Sequence, residues 1–241
     1  MMSTLNCSIK YQSSIGKLIS LRSAFGGLRG RKPIRHLSQR WSKNGDYNYD
    51  TQVIFIGKTG YGKSTALNSI LRKNIFESSD IYGCTREMQS AEFEFPGTNG
   101  KSCFSIADLP GLGESPEHDT EYFELYRKAV NNAHIAVYFL RADQRDYSVD
   151  LKVFSELFNT AQTQSNVLIA LNAVDKVEPL DRNRYFYLTD TQNRNLEVKK
   201  TDIASKFGVK YSSIFNISSV EDYGLDVLVE AICKSSYPYM E

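Results

Sequence analysis

VIFIGKTGYGKSTALNSI, running from Val53 to Ile70, is the stretch whose reading decides the fold. Four apolar residues lead into a loop with three glycines and two lysines, and a second apolar pattern follows. Gln52 to Ile56 has the character of a buried strand, and Lys63 to Leu71 of the helix after it. Gly57-Lys58-Thr59-Gly60-Tyr61-Gly62-Lys63-Ser64 fits G-x-x-x-x-G-K-[ST]. Its glycines let backbone N–H groups turn inward around phosphate oxygens, where a Cβ would block the approach. The helix that begins at Lys63, with Ser64 and Thr65 in its first turn, presents free N–H groups and a positive dipole end to the same phosphates. Lys63 reaches the outer phosphates, and the Ser64 hydroxyl binds Mg²⁺.

Three further segments sit where strands are expected to end. Asp108-Leu109-Pro110-Gly111 follows the strand Cys103–Ala107. An acid there holds Mg²⁺, usually through water, and Gly111 offers its N–H to a γ-phosphate. Asn172-Ala173-Val174-Asp175-Lys176 follows the strand Val167–Leu171. A carboxylate at Asp175 accepts the N1–H and the 2-amino group of guanine, a donor pair that adenine lacks. Asn172 either bonds the base or ties this loop to the phosphate loop. Ser218 and Ser219 follow the last strand, where a small residue lets a backbone N–H meet the base carbonyl. Thr85, in the long loop before the hairpin, is placed to complete the Mg²⁺ shell.

Outward from these motifs, strands and helices alternate. Ser90–Phe95 alternates polar and apolar residues, Pro96–Ser102 is a hairpin turn, and Ile135–Leu140 is a buried strand. Thr120–Asn131, Val149–Thr160, Thr189–Phe207 and Leu225–Cys233 are expected helices, and Ser213–Ile217 is the last strand. One helix-linked strand, an antiparallel hairpin and repeated strand–helix units predict an α/β fold. The sheet should be six-stranded and mostly parallel, with one antiparallel strand and helices on both faces. Right-handed crossovers put the loops after the parallel strands at one edge.

Composition bounds the class. The chain has 241 residues, 41% hydrophobic and 24% charged, as expected of a globular domain. No apolar run approaches the roughly 20 residues that cross a bilayer. Cys7, Cys84, Cys103 and Cys233 form no C-x-x-C pair, so reduced thiols in a cytoplasmic protein are expected. His36, His118 and His134 are scattered. The net charge of +1 hides an asymmetry. Residues 1–45 carry nine Lys or Arg and no acid, which leaves a balance of −8 on residues 46–241. A basic N-terminal arm, partly helical or disordered, therefore precedes the domain at 46–241. Such an arm suits RNA, a ribosome or a membrane surface, and it also has the composition of a transit peptide.

The segments GKTGYGKST, CTRE, DLPGLGES, RADQRDYSVD and NAVDKVEP together resemble the Era-like branch of the small GTPases, within the translation-factor-related P-loop superfamily. More narrowly they are similar to bacterial GTPases of the ribosome-binding type, and distantly to the immunity-related GTPases. The resemblance covers Thr51 to Cys233. It implies a P-loop NTPase three-layer sandwich that binds GTP and GDP with Mg²⁺ and no other metal, and a GTPase acting as a nucleotide-dependent switch. It assigns Gly57, Thr59, Gly60, Tyr61, Gly62, Lys63, Ser64 and Thr65 to the phosphates. Ser64, Thr85 and Asp108 fall to Mg²⁺, Lys63, Thr85 and Gly111 to hydrolysis, and Asn172, Asp175, Lys176, Ser218 and Ser219 to guanine. Nucleotide-dependent homodimers are common among similar GTPases.

Three departures bear on mechanism. The usual base motif is N-K-x-D, but Ala173 stands where lysine packs along the base. Leu112 occupies the place of the glutamine that orients water in Ras-type proteins. Gly60 has no side-chain oxygen where potassium-activated branches carry Asn or Ser. Hydrolysis should then be slow, without potassium dependence; its water is left to the Thr85 backbone, Glu114 or a group from a partner or second protomer, and Arg86 is placed to serve as a supplied arginine in cis or in trans. A nucleotide-binding interaction module with negligible turnover is the alternative.

Overall fold

The computed structural model describes residues 35–39, 51–76, 88–97, 100–112, 116–180 and 186–235. Seven strands form one sheet: β1 (Arg35–Gln39), β2 (Thr51–Ile56), β3 (Met88–Gly97), β4 (Gly100–Asp108), β5 (Ile135–Arg141), β6 (Val167–Asn172) and β7 (Ile214–Asn216). Their order is β1-β3-β4-β2-β5-β6-β7. β2 pairs in parallel with β4 and β5, and β5–β6 and β6–β7 are also parallel. β3 is antiparallel to both its neighbours, so it alone runs against the rest.

The six expected strands are all present, and β1 corrects their number by adding a seventh at the edge. RHLSQ has a single apolar residue and carries no strand signal. Its place follows from backbone pairing alone, from Arg35↔Glu92 to Gln39↔Met88. β1 lies inside the basic stretch 1–45. The hairpin is also tighter than the sequence suggests, because pairing continues through Pro96↔Lys101 and Gly97↔Gly100.

Helices α1 (Lys63–Leu71), α2 (Pro116–Asn132), α3 (Ser148–Leu157), α4 (Ala161–Ser165), α5 (Asp190–Phe207) and α6 (Leu225–Ser235) complete the described chain. α1 packs beside α6, while α3 touches α2 and α5, consistent with helices on both faces of the sheet. The helix expected over 149–160 is present as α3 and ends early, at Leu157. Thr160 instead caps α4, accepting from the Thr163 N–H while the Thr163 hydroxyl accepts from the Thr160 N–H. A threonine is worth more as a cap than in a helix interior. Thr189 and Gln192 form the same reciprocal cap on α5, which ends at Gly208.

The core follows the apolar runs. Val53 to Ile56, and Val137 to Leu140, are fully buried. Tyr138 meets Phe154 edge-on at 5.3 Å between ring centres, and Phe207 stands 5.1 Å from Phe154. This aromatic cluster clamps α3 and α5 to β5, which fixes the loops at that strand's C-terminal end. No helix among the described residues is long and apolar enough to cross a membrane.

Candidate nucleotide-binding site

The loop after β2 joins directly to α1, with Gly62 as the residue before the helix. Gly62 has φ +85°, and a Cβ there would stand 2.4 Å from Asn172 Nδ2. Only glycine satisfies both the backbone angle and the close approach. Lys63 is 5% exposed, and its ammonium donates to the carbonyls of Gly57 at 3.1 Å and Lys58 at 3.2 Å. Lys63 thus lies at the start of the helix beside the loop, with Ser64 and Thr65 half-buried in its first turn.

Asp108 ends β4 next to that point. Ser64 donates its hydroxyl to Asp108 Oδ2. The Asp108 side chain is fully buried, and its Oδ1 has no hydrogen-bond partner among the described residues. Burial pushes the carboxyl up to about 6, against the pull of Lys63 and the Ser64 hydrogen bond. An orphaned carboxylate oxygen beside a hydroxyl is a hard-oxygen donor set, and it fits Mg²⁺. Thr85, Arg86 and Glu114 lie outside the described residues.

The segment after Asp108 folds back on the phosphate loop. The Leu109 N–H donates to Phe55 O at 3.1 Å, and Tyr126 donates its hydroxyl to the Pro110 carbonyl. The Thr59 N–H donates to Leu112 O at 3.2 Å, and the Leu112 N–H to Gly57 O at 3.4 Å. Gly111 lies against Thr59 so closely that a Cβ would stand 2.5 Å from the Thr59 nitrogen. The Leu112 side chain is 3% exposed and belongs to the core.

At the other end, Asn172 Nδ2 donates to Tyr61 O at 2.8 Å, and its Oδ1 accepts from the Ser219 N–H and hydroxyl, each at 3.0 Å. Of the two roles open to Asn172, tying the loops together is the one present here. The Ser218 hydroxyl donates to Asp175 Oδ1 at 2.6 Å. The Ser218 N–H donates to Tyr223 O at 3.0 Å, so the backbone donors of Ser218 and Ser219 both end on protein acceptors. Asp175 is half-buried and Lys176 exposed, within a short 3₁₀ turn, Val174–Lys176.

Residues the motifs did not single out brace the loop from its flank. Asp150, in the first turn of α3, is fully buried. Its Oδ2 accepts from Lys58 Nζ at 3.0 Å and from the Tyr61 hydroxyl at 3.2 Å. Tyr61 also donates to Gln144, and burial together with Asp150 raises the Tyr61 pKa. Lys199 of α5 donates to the carbonyls of Ala142 and Gln144, each at 2.6 Å, fixing the β5–α3 loop. An acid at a helix start is unremarkable in sequence; only the resemblance of the RADQRDYSVD block pointed here.

The family described as 50S ribosome-binding GTPase matches residues 52–173. The uncharacterized protein YkfA of Escherichia coli (strain K12) is 29% identical over 187 residues, 78% of this chain and 62% of YkfA. GTPase Der of Campylobacter lari is 29% identical over 176 residues, 73% of this chain and 32% of Der. The chain thus spans under two thirds of the length of either relative. The crystal structure of Aquifex aeolicus Era bound to GDP·AlF₄⁻ shares the fold, with a TM-score of 0.59 over 76% of this chain and 56% of Era, at 20% identity.

Proposed function

The chain belongs to the 50S ribosome-binding GTPase family, and from that premise we propose that it binds GTP and GDP with Mg²⁺, hydrolyses GTP slowly, and works as a nucleotide-dependent switch. The observation that carries the switch is the bonding of Leu112 to Thr59 and Gly57. A terminal phosphate seated by Lys63 and the loop's N–H groups competes for the Thr59 N–H that Leu112 now holds. Nucleotide state is thereby coupled to the segment beginning at Leu109.

Lys63, which already pulls on the Asp108 carboxyl, exchanges its two carbonyl acceptors for the charged outer phosphates. Ser64 and Asp108 would hold Mg²⁺, and the chemistry it would supply there is charge neutralisation for phosphoryl transfer. Asp175, aligned by Ser218, faces the base. Leu112 leaves water unoriented, so the intrinsic rate is low and a supplied group raises it; a donated arginine is worth ~10³–10⁵ in rate.

Multiple-turnover phosphate release from GTP and ATP, set against a Lys63→Ala control, is the test. GTP should turn over above the control and ATP should not. A GTP rate equal to the control would leave the binding module with negligible turnover, a reading favoured by the burial of Leu112. Hydrogen exchange over residues 109–119 should differ between GDP and a non-hydrolysable GTP analogue; identical exchange would remove the switch. The ribosome of the family's description is proposed as the partner of the basic N-terminal stretch. Co-sedimentation with large ribosomal subunits should weaken when residues 1–34 are deleted.

A further inference from the structure

Arg141 is the last residue of β5 and lies in register with Asn172 of β6. That places it at the sheet edge where the phosphate loop and the base loop meet. Its guanidinium is held on three sides. Nη1 donates to the Gly60 carbonyl of the phosphate loop at 3.2 Å. Nε and Nη2 donate to the two oxygens of Asp143 at 2.9 and 2.7 Å, a two-pronged clamp that sets the plane of the group. The side chain keeps 28% of its surface exposed, so a face remains open. The hydrogen bonds to Asp143 raise the Arg141 pKa against the opposing effect of burial, and the charges of Asp143 and Asp175 add to the rise.

The base loop opposite has no cation at its usual place. Ala173 occupies it, in a left-handed conformation (φ +62°) and 8% exposed. Lys176 comes after the carboxylate and is exposed. A fixed cation is nevertheless present, delivered from the neighbouring strand and tied to the phosphate loop.

We propose that Arg141 is a nucleotide-binding residue that replaces the missing lysine, its guanidinium forming one wall of the guanine site between Gly60 and Asp175. This rests on the reading of the site as a guanine-nucleotide site. Guanidinium is flat, delocalised and weakly hydrated, and so it suits the face of a purine better than an ammonium does. The Asp143 clamp keeps it preorganised, so little rotational freedom is lost on binding.

The experiment titrates the full chain, calorimetrically, with GDP and with inorganic tripolyphosphate, which has phosphates and no base. Arg141→Ala should weaken GDP roughly five- to thirtyfold, the range of a desolvated cation–ring contact, and leave tripolyphosphate within about twofold. Adding Ala173→Lys to Arg141→Ala should recover most of the loss. Equal weakening of both ligands would overturn the proposal, because Arg141 would then act only on the loop through Gly60. An unchanged GDP affinity would overturn it as well. Failure of the guanine reading shows separately, as a wild-type protein that takes ADP as tightly as GDP. In that case the contrast between ADP and tripolyphosphate still decides the place of Arg141. Matched melting temperatures of the variants keep misfolding out of the comparison.

Discussion

At the phosphate end of the site, Thr59 gives its backbone N–H to Leu112 and Lys63 gives its ammonium to carbonyls of its own loop. At the base end, Asn172, Asp175, Ser218 and Ser219 are joined through their side chains. The first set consists of donors turned onto neutral carbonyls. A phosphate is a stronger acceptor for each, so these bonds are exchangeable. The second set is bracing. Asn172 holds Tyr61 and Ser219 at once, and a ligand gains nothing by breaking either bond. Under the proposed function, the site is therefore rigid at the end assigned to the base and convertible at the end assigned to the phosphates.

The largest effect tests the convertible end. Lys63→Ala removes the cation that the phosphates recruit, and phosphate release should fall by about a hundredfold or more. The fold should survive, because the lost bonds lie within one loop; a melting point within a few degrees of wild type checks that. Next, Asp175→Asn tests the braced end. The carboxylate becomes an amide, with one acceptor oxygen and a donating NH₂ group, so GDP should weaken by roughly a hundredfold and xanthosine diphosphate should gain, as expected for two charge-assisted bonds. The amide still receives the Ser218 hydroxyl, so the brace persists and only base choice changes. An unaltered preference between the two nucleotides would remove Asp175 from the base.

A smaller effect probes the contact that makes the phosphate end convertible. The Cβ of Gly111→Ala would overlap the Thr59 backbone, at 2.5 Å from its nitrogen. The docked segment must then lift, and without nucleotide the amides of Thr59 and Leu112 should exchange at least about tenfold faster. Base preference should stay as it is. A change in base preference would mean that the two ends are not separable.

The strands β2, β5 and β6 were legible because each is an unbroken apolar run bounded by turn residues, and the phosphate loop because its glycines have a fixed spacing. The edge strand β1 was not, since RHLSQ is placed by main-chain pairing that leaves no mark on side-chain pattern. The early end of α3 turned on Thr160, which caps the next helix in a role that depends on Thr163. In the site, residues within a motif were legible, whereas Asp150 and Arg141 act across 89 and 81 positions of chain, on Tyr61 and Gly60. Only the resemblance of the block RADQRDYSVD, which runs from Arg141 to Asp150, pointed at that stretch, and it gave neither residue's partner. The absence of a lysine at Ala173 was visible; the strand that supplies a cation in its place was not.

Asp150 carries the smallest effect and the sharpest sign. It is buried beside Lys58 and the Tyr61 hydroxyl, and burial raises its pKa although the Lys58 bond and charge oppose this. A carboxyl whose folded pKa lies above its unfolded value, ~3.9, adds most stability below that value. The contribution is lost as pH rises through the folded pKa. Wild-type protein should therefore lose melting temperature relative to Asp150→Asn as pH climbs from ~4 through that range, then run level with it. The opposite slope would mean that the Lys58 ion pair outweighs burial. At neutral pH the two proteins should melt within a few degrees, since the amide oxygen still accepts from Lys58 and the Tyr61 hydroxyl while the desolvation of the carboxylate is relieved. Asp150→Ala should be worse by ~1–3 kcal/mol, because it strands Lys58 and Tyr61 without an acceptor. Both variants keep Asn172 and Asp175, so GDP should still be chosen over ADP while GTP turnover falls only a few fold. That outcome would place Asp150 on the phosphate side of the division, as a brace for the one part of that loop that does not convert.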